Sequence, residues 1–182
     1  MTDDRRSDEE PRASVLSDEW TERIAAALIL AERGVADRDA LLVSALGWFD
    51  YSSIPGSAYD LFQDVIWHIR DALADGRRLD VTDQLLRALD ASAPNVPEWI
   101  DVRQDVIATI GELPPPDAAP FVPRLVEAVL NESEVVIAPY ALDVLEDVDQ
   151  AAWREALAAY LARPDAAHDL VRYSVERSKL TD

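Results

Sequence analysis

Apolar residues in this chain recur at three- and four-residue steps rather than in strict alternation. In IDVRQDVIATIGEL, residues 100–113, Val102, Val106 and Ile110 step along one helical face and Gly111 follows. The same reading, with start and stop residues, divides the chain into helices at about 18–33, 38–49, 58–75, 82–91, 97–111, 118–130, 134–146, 150–162 and 166–179. Ser17, Asp37, Ser57, Ser133, Asp149 and Asp165 stand where N-caps belong. Gly34, Gly76 and Gly111 stand at the stops, and Pro97 opens its helix where a missing N–H costs nothing. No alternating segment of strand length appears, so the pattern predicts an all-α protein.

The 100–113 grammar recurs. From Ile137 the four-residue steps reach Ala141 and Leu145, and from Val171 they reach Val175. The anchors Val102, Ile137 and Val171 are 35 and 34 residues apart, and Asn131 and Asp165 each precede an anchor by six. Recurrence at such a period is what stacked helical hairpins require, because one hairpin cannot bury its own apolar face. With Asp101-Val102-Arg103 and Leu170-Val171-Arg172 opening second helices, residues 82–180 resemble HEAT repeats. The unit from Pro120 to Leu145 departs from the pattern with Ala138 in place of Arg, and SAPNVPEW is longer than the family's tight turn. The resemblance implies a short right-handed α-solenoid with helix 18–33 as an N-terminal cap; an irregular helical bundle is the alternative. It also implies that Arg103 and Arg172 pair with turn residues of a neighbouring repeat, Arg172 with Asp165 or Asn131, rather than with a ligand.

Composition narrows the rest. The 182 residues suit one domain over 15–182, preceded by the charged stretch MTDDRRSDEEPRAS, read as a disordered acidic tail, 1–14. That start has no apolar core of a signal peptide, and the longest apolar run, Ile24–Ala31, is too short for a bilayer, so the expectation is a cytoplasmic protein. The absence of Cys excludes disulfides and thiolate metal sites. Net charge is −19, from 36 acids against 17 bases. Such a field repels nucleic acid and anionic membrane and draws basic proteins. Arg outnumbers Lys 16 to 1 and Asp outnumbers Glu 23 to 13, ratios that codon composition or salt adaptation also produce.

Catalytic signals are sparse: no Gly-rich phosphate loop, no GxSxG, and two histidines, His68 and His168. Asp64, His68 and Asp71 have a spacing that could grip a cation, but the reading taken is a partly exposed His among solvated acids, and neither metal nor cofactor is expected. The sharpest local pattern is the stripe Asp60, Asp64, His68, Asp71 and Asp75, which lies roughly 130° from the face of Phe62, Val65, Ile69 and Ala72. Like charges four residues apart destabilise a helix, and Asp75 opposes the macrodipole at the helix end.

Further acids are Asp101 and Asp105, and the base-free run Glu132, Glu134, Asp143, Glu146, Asp147 and Asp149. Glu134 suits a helix start and Asp149 a cap. Trp67 and Trp99 are candidate interface anchors, whereas Trp20, Trp48 and Trp153 suit packing between helices.

Together these features predict a non-enzymatic module that binds a basic protein, as an inhibitor or immunity-type protein would cover a toxin or nucleic-acid enzyme. Its contact residues are Asp60, Asp64, Trp67, Asp71, Asp75, Asp101 and Asp105. A small HEAT-like enzyme or ligand-binding solenoid, and an acidic scaffold from a salt-adapted cytosol, are the alternatives.

Overall fold

The amphipathic periods become helices throughout the computed structural model, which describes residues 8–164 apart from 52, 53, 55, 57, 93 and 133–135. No strand occurs among these residues. Helices α1 (Glu9–Ser14), α2 (Trp20–Glu32), α3 (Arg38–Trp48), α4 (Tyr59–Ala74) and α5 (Thr82–Ala91) are followed by α6 (Ile100–Ile110), α7 (Pro115–Ala118), α8 (Val122–Asn131), α9 (Ile137–Val148) and α10 (Gln150–Leu161). Contacts divide the chain into two units, which meet in sequence between Ala91 and Ser92. The expected ninth helix, 166–179, with Asp165, His168, Val171 and Arg172, lies outside the described residues.

In the first unit α2 packs on α3, α4 on both, α5 on α3 and α1 on α2. Ile24, Leu30, Leu42, Leu46, Phe62, Ile66 and Leu85 are fully buried between them. Phe49 lies edge-on to Phe62 at 5.4 Å and tilted against Trp20 at 5.7 Å, so one ring joins α2, α4 and the end of α3. The Arg23 guanidinium stacks over Trp48 at 4.2 Å. Gly34 and Gly76 end α2 and α4 as their positions predict, with φ +68° and +77°. At Gly76 the Schellman pair of bonds closes the helix, Gly76 N–H to Leu73 O at 2.8 Å and Arg77 N–H to Ala72 O at 3.0 Å.

In the second unit α8 and α9 pack side by side, α6 lies on α9, and α10 lies on both α8 and α9. Val102, Val106 and Ile110 of α6 and Ile137, Ala141 and Leu145 of α9 are all fully buried. Gly111 stops α6 where the sequence places the stop, but in the right-handed region, with φ −62°. A Cβ there would come within 3.2 Å of Val144 on α9, so glycine serves the close approach of these helices. Pro97–Trp99 and Ala119–Phe121 are 3-10 turns that lead into α6 and α8.

Two differences appear at the start of the chain. Residues Glu9–Ser14, expected as part of a disordered tail, form α1. Asp37 precedes α3 but its side chain makes no cap; it accepts Arg12 Nη1 and Nη2 at 3.1 and 3.0 Å instead. No described helix is long and apolar enough to cross a membrane.

Candidate interaction face on helix α4

Sixteen residues without Gly or Pro give α4 over four turns in which to separate two faces. One face buries Phe62, Val65, Ile66, Ile69, Ala72 and Leu73. Asp60, Asp64, Asp71 and Asp75 are exposed on the other, and Trp67, between them, keeps 50% of its surface in solvent. An indole left that open forgoes burial that would be worth about 1.5–3 kcal/mol for a large apolar side chain.

The acids differ in their surroundings. Arg77, just past the helix end, lies 3.7 Å from Asp75 and also binds Asp39 at 2.9 Å. Asp75 is therefore compensated against the helix dipole, contrary to the sequence reading. Asp60, Asp64 and Asp71 have no cation within ion-pair distance among the described residues. Trp67 lies one turn from Asp64 on one side and one turn from Asp71 on the other. A lysine or arginine brought to this face could stack on the indole and meet a carboxylate in the same step. His68 is half-buried, and no group of three His, Asp or Glu side chains is placed to hold a metal ion among the described residues.

Asp101 and Asp105 lie on α6, in the second unit. Asp101 is exposed and Asp105 half-buried. Trp99 is 9% exposed, which removes it as a free anchor: the 3-10 turn that Pro97 starts directs it inward.

The base-free acidic run from 132 onward resolves into different roles. Glu132 is a structural acid, 3% exposed. Its Oε1 accepts from Arg103 Nε at 2.9 Å and from Nη2, and its Oε2 from Nε at 3.0 Å. Arg103 Nη1 donates to Ser92 O and Oγ, both at 2.9 Å. Arg163 supports the same corner by donating to the carbonyls of Val129, Leu130 and Glu132 at 3.1–3.2 Å, where the helix dipole of α8 favours a cation. Asn95, in the left-handed region with φ 61°, donates from Nδ2 to Asn131 O. Asp149 caps α10 as expected, accepting the Ala151 and Ala152 N–H groups at 3.0 Å. Glu134 lies outside the described residues, and Asp143 and Asp147 are exposed.

The partner of Glu132 could not be found locally, since 29 residues separate it from Arg103. The N-terminal pairs Asp8–Arg33 and Arg12–Asp37 were also missed, although their signal was present. An Asp and an Arg four residues apart face an Arg and an Asp four residues apart, in reversed order of charge. Comparison with protein-family models, curated proteins and solved structures returned no match.

Proposed function

We propose that this chain is a HEAT-like helical module of the cytoplasm that binds the basic surface of another protein, in the manner of an inhibitor or immunity protein covering a cationic cleft. The observation that carries the reading is the α4 face: Asp60, Asp64 and Asp71, without cations of their own among the described residues, around a half-exposed Trp67. Aromatic anchors ringed by charge are frequent hot spots, and opposite fields speed encounter. The HEAT-like part of the reading is supported by the buried rows of α6 and α9 and by Arg103 on the Glu132 corner, an arginine meeting the turn acid of the next hairpin. The partner's surface supplies the cations, and no catalytic step is assigned to the chain.

A second reading has its own support. Exposed acids stand on nearly every helix, among them Asp83, Asp90, Glu98, Asp117, Glu127 and Glu155, as salt adaptation alone would place them. The two readings part in one experiment. A defined arginine-rich peptide serves as the probe, and association is followed by stopped flow at low salt for Asp64→Lys/Asp71→Lys and for a control of equal charge change, Glu127→Lys/Glu155→Lys. Local recognition slows association on the order of tenfold more in the first than in the second. Equal slowing in both leaves charge as a property of the whole surface and sinks the α4 assignment. Recovery of a native partner from low-salt cytosol by the wild type, and its loss with the α4 variant, would then name the partner.

A further inference from the structure

Helix α1 has six residues and none is buried. Isolated helices shorter than about 12 residues are marginal in water, so α1 owes its helical state to what it touches. It touches α2, and charge fastens it there. Arg12 binds the Asp37 carboxylate through both terminal nitrogens, and Arg33 Nη1 binds Asp8 Oδ1 at 3.1 Å.

Asp8, the residue before α1, and Arg12 are four residues apart; Arg33, just past α2, and Asp37, just before α3, are also four residues apart. The order of charge is reversed between the two sides, so each charge meets its opposite at both ends. Asp37 Oδ1 and Arg12 Nη2 are 3.0 Å apart with about half of each side chain in solvent. Beside this latch, Pro11, Ser14, Glu22, Ala25, Ile29 and Arg33 line an open groove of about 500 Å³ between α1 and α2. At the end of α1, Val15 is half-buried and Leu16 is 84% exposed, so no apolar side chain there is fully buried.

We infer that α1 is a detachable strap: a four-charge latch holds it on the α2–α3 hairpin, and when the latch opens the segment unwinds and uncovers the Ala25, Ala26 and Ile29 side of α2. Exposed ion pairs are individually weak and fade with ionic strength, whereas the buried faces of α2 and α3 do not. Release is therefore local. The hairpin beneath stays folded because its stability rests on Ile24, Leu30, Leu42 and Leu46, all fully buried.

Hydrogen exchange on the full chain tests this. Between about 20 mM and about 500 mM salt, exchange over residues 8–17 should accelerate on the order of tenfold while α2 and α3 amides keep their rates. Arg12→Glu should reproduce the high-salt rates at low salt, and Arg12→Glu/Asp37→Arg should restore protection. Protection at 8–17 that survives both salt and Arg12→Glu overturns the strap, as does a segment unprotected at low salt or a swapped pair that fails to restore it. The α2 and α3 rates show in each sample whether the hairpin itself has folded.

Discussion

Helix α4 and the α8–α9 corner both carry acids in stretches poor in bases, yet the two regions use them oppositely. On α4, Asp60, Asp64 and Asp71 face water without a cation among the described residues; at the corner, Glu132 is buried against a guanidinium that binds it through both Nε and Nη2. Local acidity does not separate these cases. What separates them is whether the fold brings a distant arginine to the carboxylate and removes both from water. Arg103 is held from its other side as well, because Ser92 accepts from Nη1 through both its carbonyl and its hydroxyl. Exposed acids and a buried brace can thus share a composition and differ in their surroundings.

The largest effect follows from breaking the brace. Arg103→Met leaves Glu132 buried without its counter-charge and should cost about 3–5 kcal/mol of unfolding free energy, read as a lower urea midpoint. Arg103→Met/Glu132→Met should recover a large part of it, since an apolar pair of similar volume carries no desolvation cost. If the single variant costs no more than an exposed pair, within about 1 kcal/mol, the corner is no brace and the contrast with α4 disappears.

A second buried polar group tests the first unit. The Tyr51 hydroxyl donates to Leu46 O at 2.9 Å, and burial pushes its pKa up to about 12 from 10.0, with Arg87 pulling weakly the other way. The unfolded chain ionises this phenol earlier than the folded one does. Its stabilising contribution is therefore complete below pH about 10 and is lost as pH rises to about 12, a difference of about 3 kcal/mol. Tyr51→Phe should abolish that alkaline limb in urea titrations; an unchanged limb would place its origin elsewhere.

How much of this was readable beforehand depended on range. Helical periodicity is local, so α2 to α6 and α8 to α10 fell close to their expected places, and the rows Val102/Val106/Ile110 and Ile137/Ala141/Leu145 are buried as their spacing predicted. Asp149 was legible as a cap because capping is decided within three residues. The errors came from tertiary partners. Asp37 looked like a cap and was taken by Arg12, 25 residues earlier; Glu132 stood in a base-free acidic run with no partner nearby and was taken by Arg103. Gly111 is the stop it looked like, but it also serves packing against Val144, a contact no neighbouring residue announces. Trp67 and Trp99 have similar settings in the sequence, and only the 3-10 turn before α6 buries the second.

The latch on α1 predicts a smaller, local effect with a definite sign. The hydrogen bonds from Arg12, reinforced by its charge, hold the Asp37 carboxyl below the usual carboxylate range, and Asp37 in turn raises Arg12; Asp8 and Arg33 pair beside them, and Glu10 and Glu22 line the adjoining groove. A depressed folded pKa means the contribution is present above the unfolded value of about 3.9 and is lost as pH falls through the folded one. Hydrogen-exchange protection over 8–17 should thus be constant from pH 7 down to about 5, after correction for intrinsic rates, and fall only below about 4. A midpoint near neutrality would require a different titrating group.

The smallest effect on stability says most about α4. Asp60 and Asp64 repel each other at four residues' separation, as do Asp71 and Asp75, so Asp64→Asn/Asp71→Asn should stabilise the fold by a few tenths of a kcal/mol. The same double variant should weaken capture of the arginine-rich probe, because it removes the two carboxylates one turn on either side of Trp67. Opposite signs in the two measurements identify an acid kept for something outside the chain. A structural acid such as Glu132 loses stability when neutralised, and an acid kept only for surface charge leaves probe binding level with an equally neutralised control pair, Glu127→Gln/Glu155→Gln. Urea midpoints and probe association rates, taken on the same two variants, therefore decide whether the α4 aspartates belong to a binding face or to the general acidity of the surface.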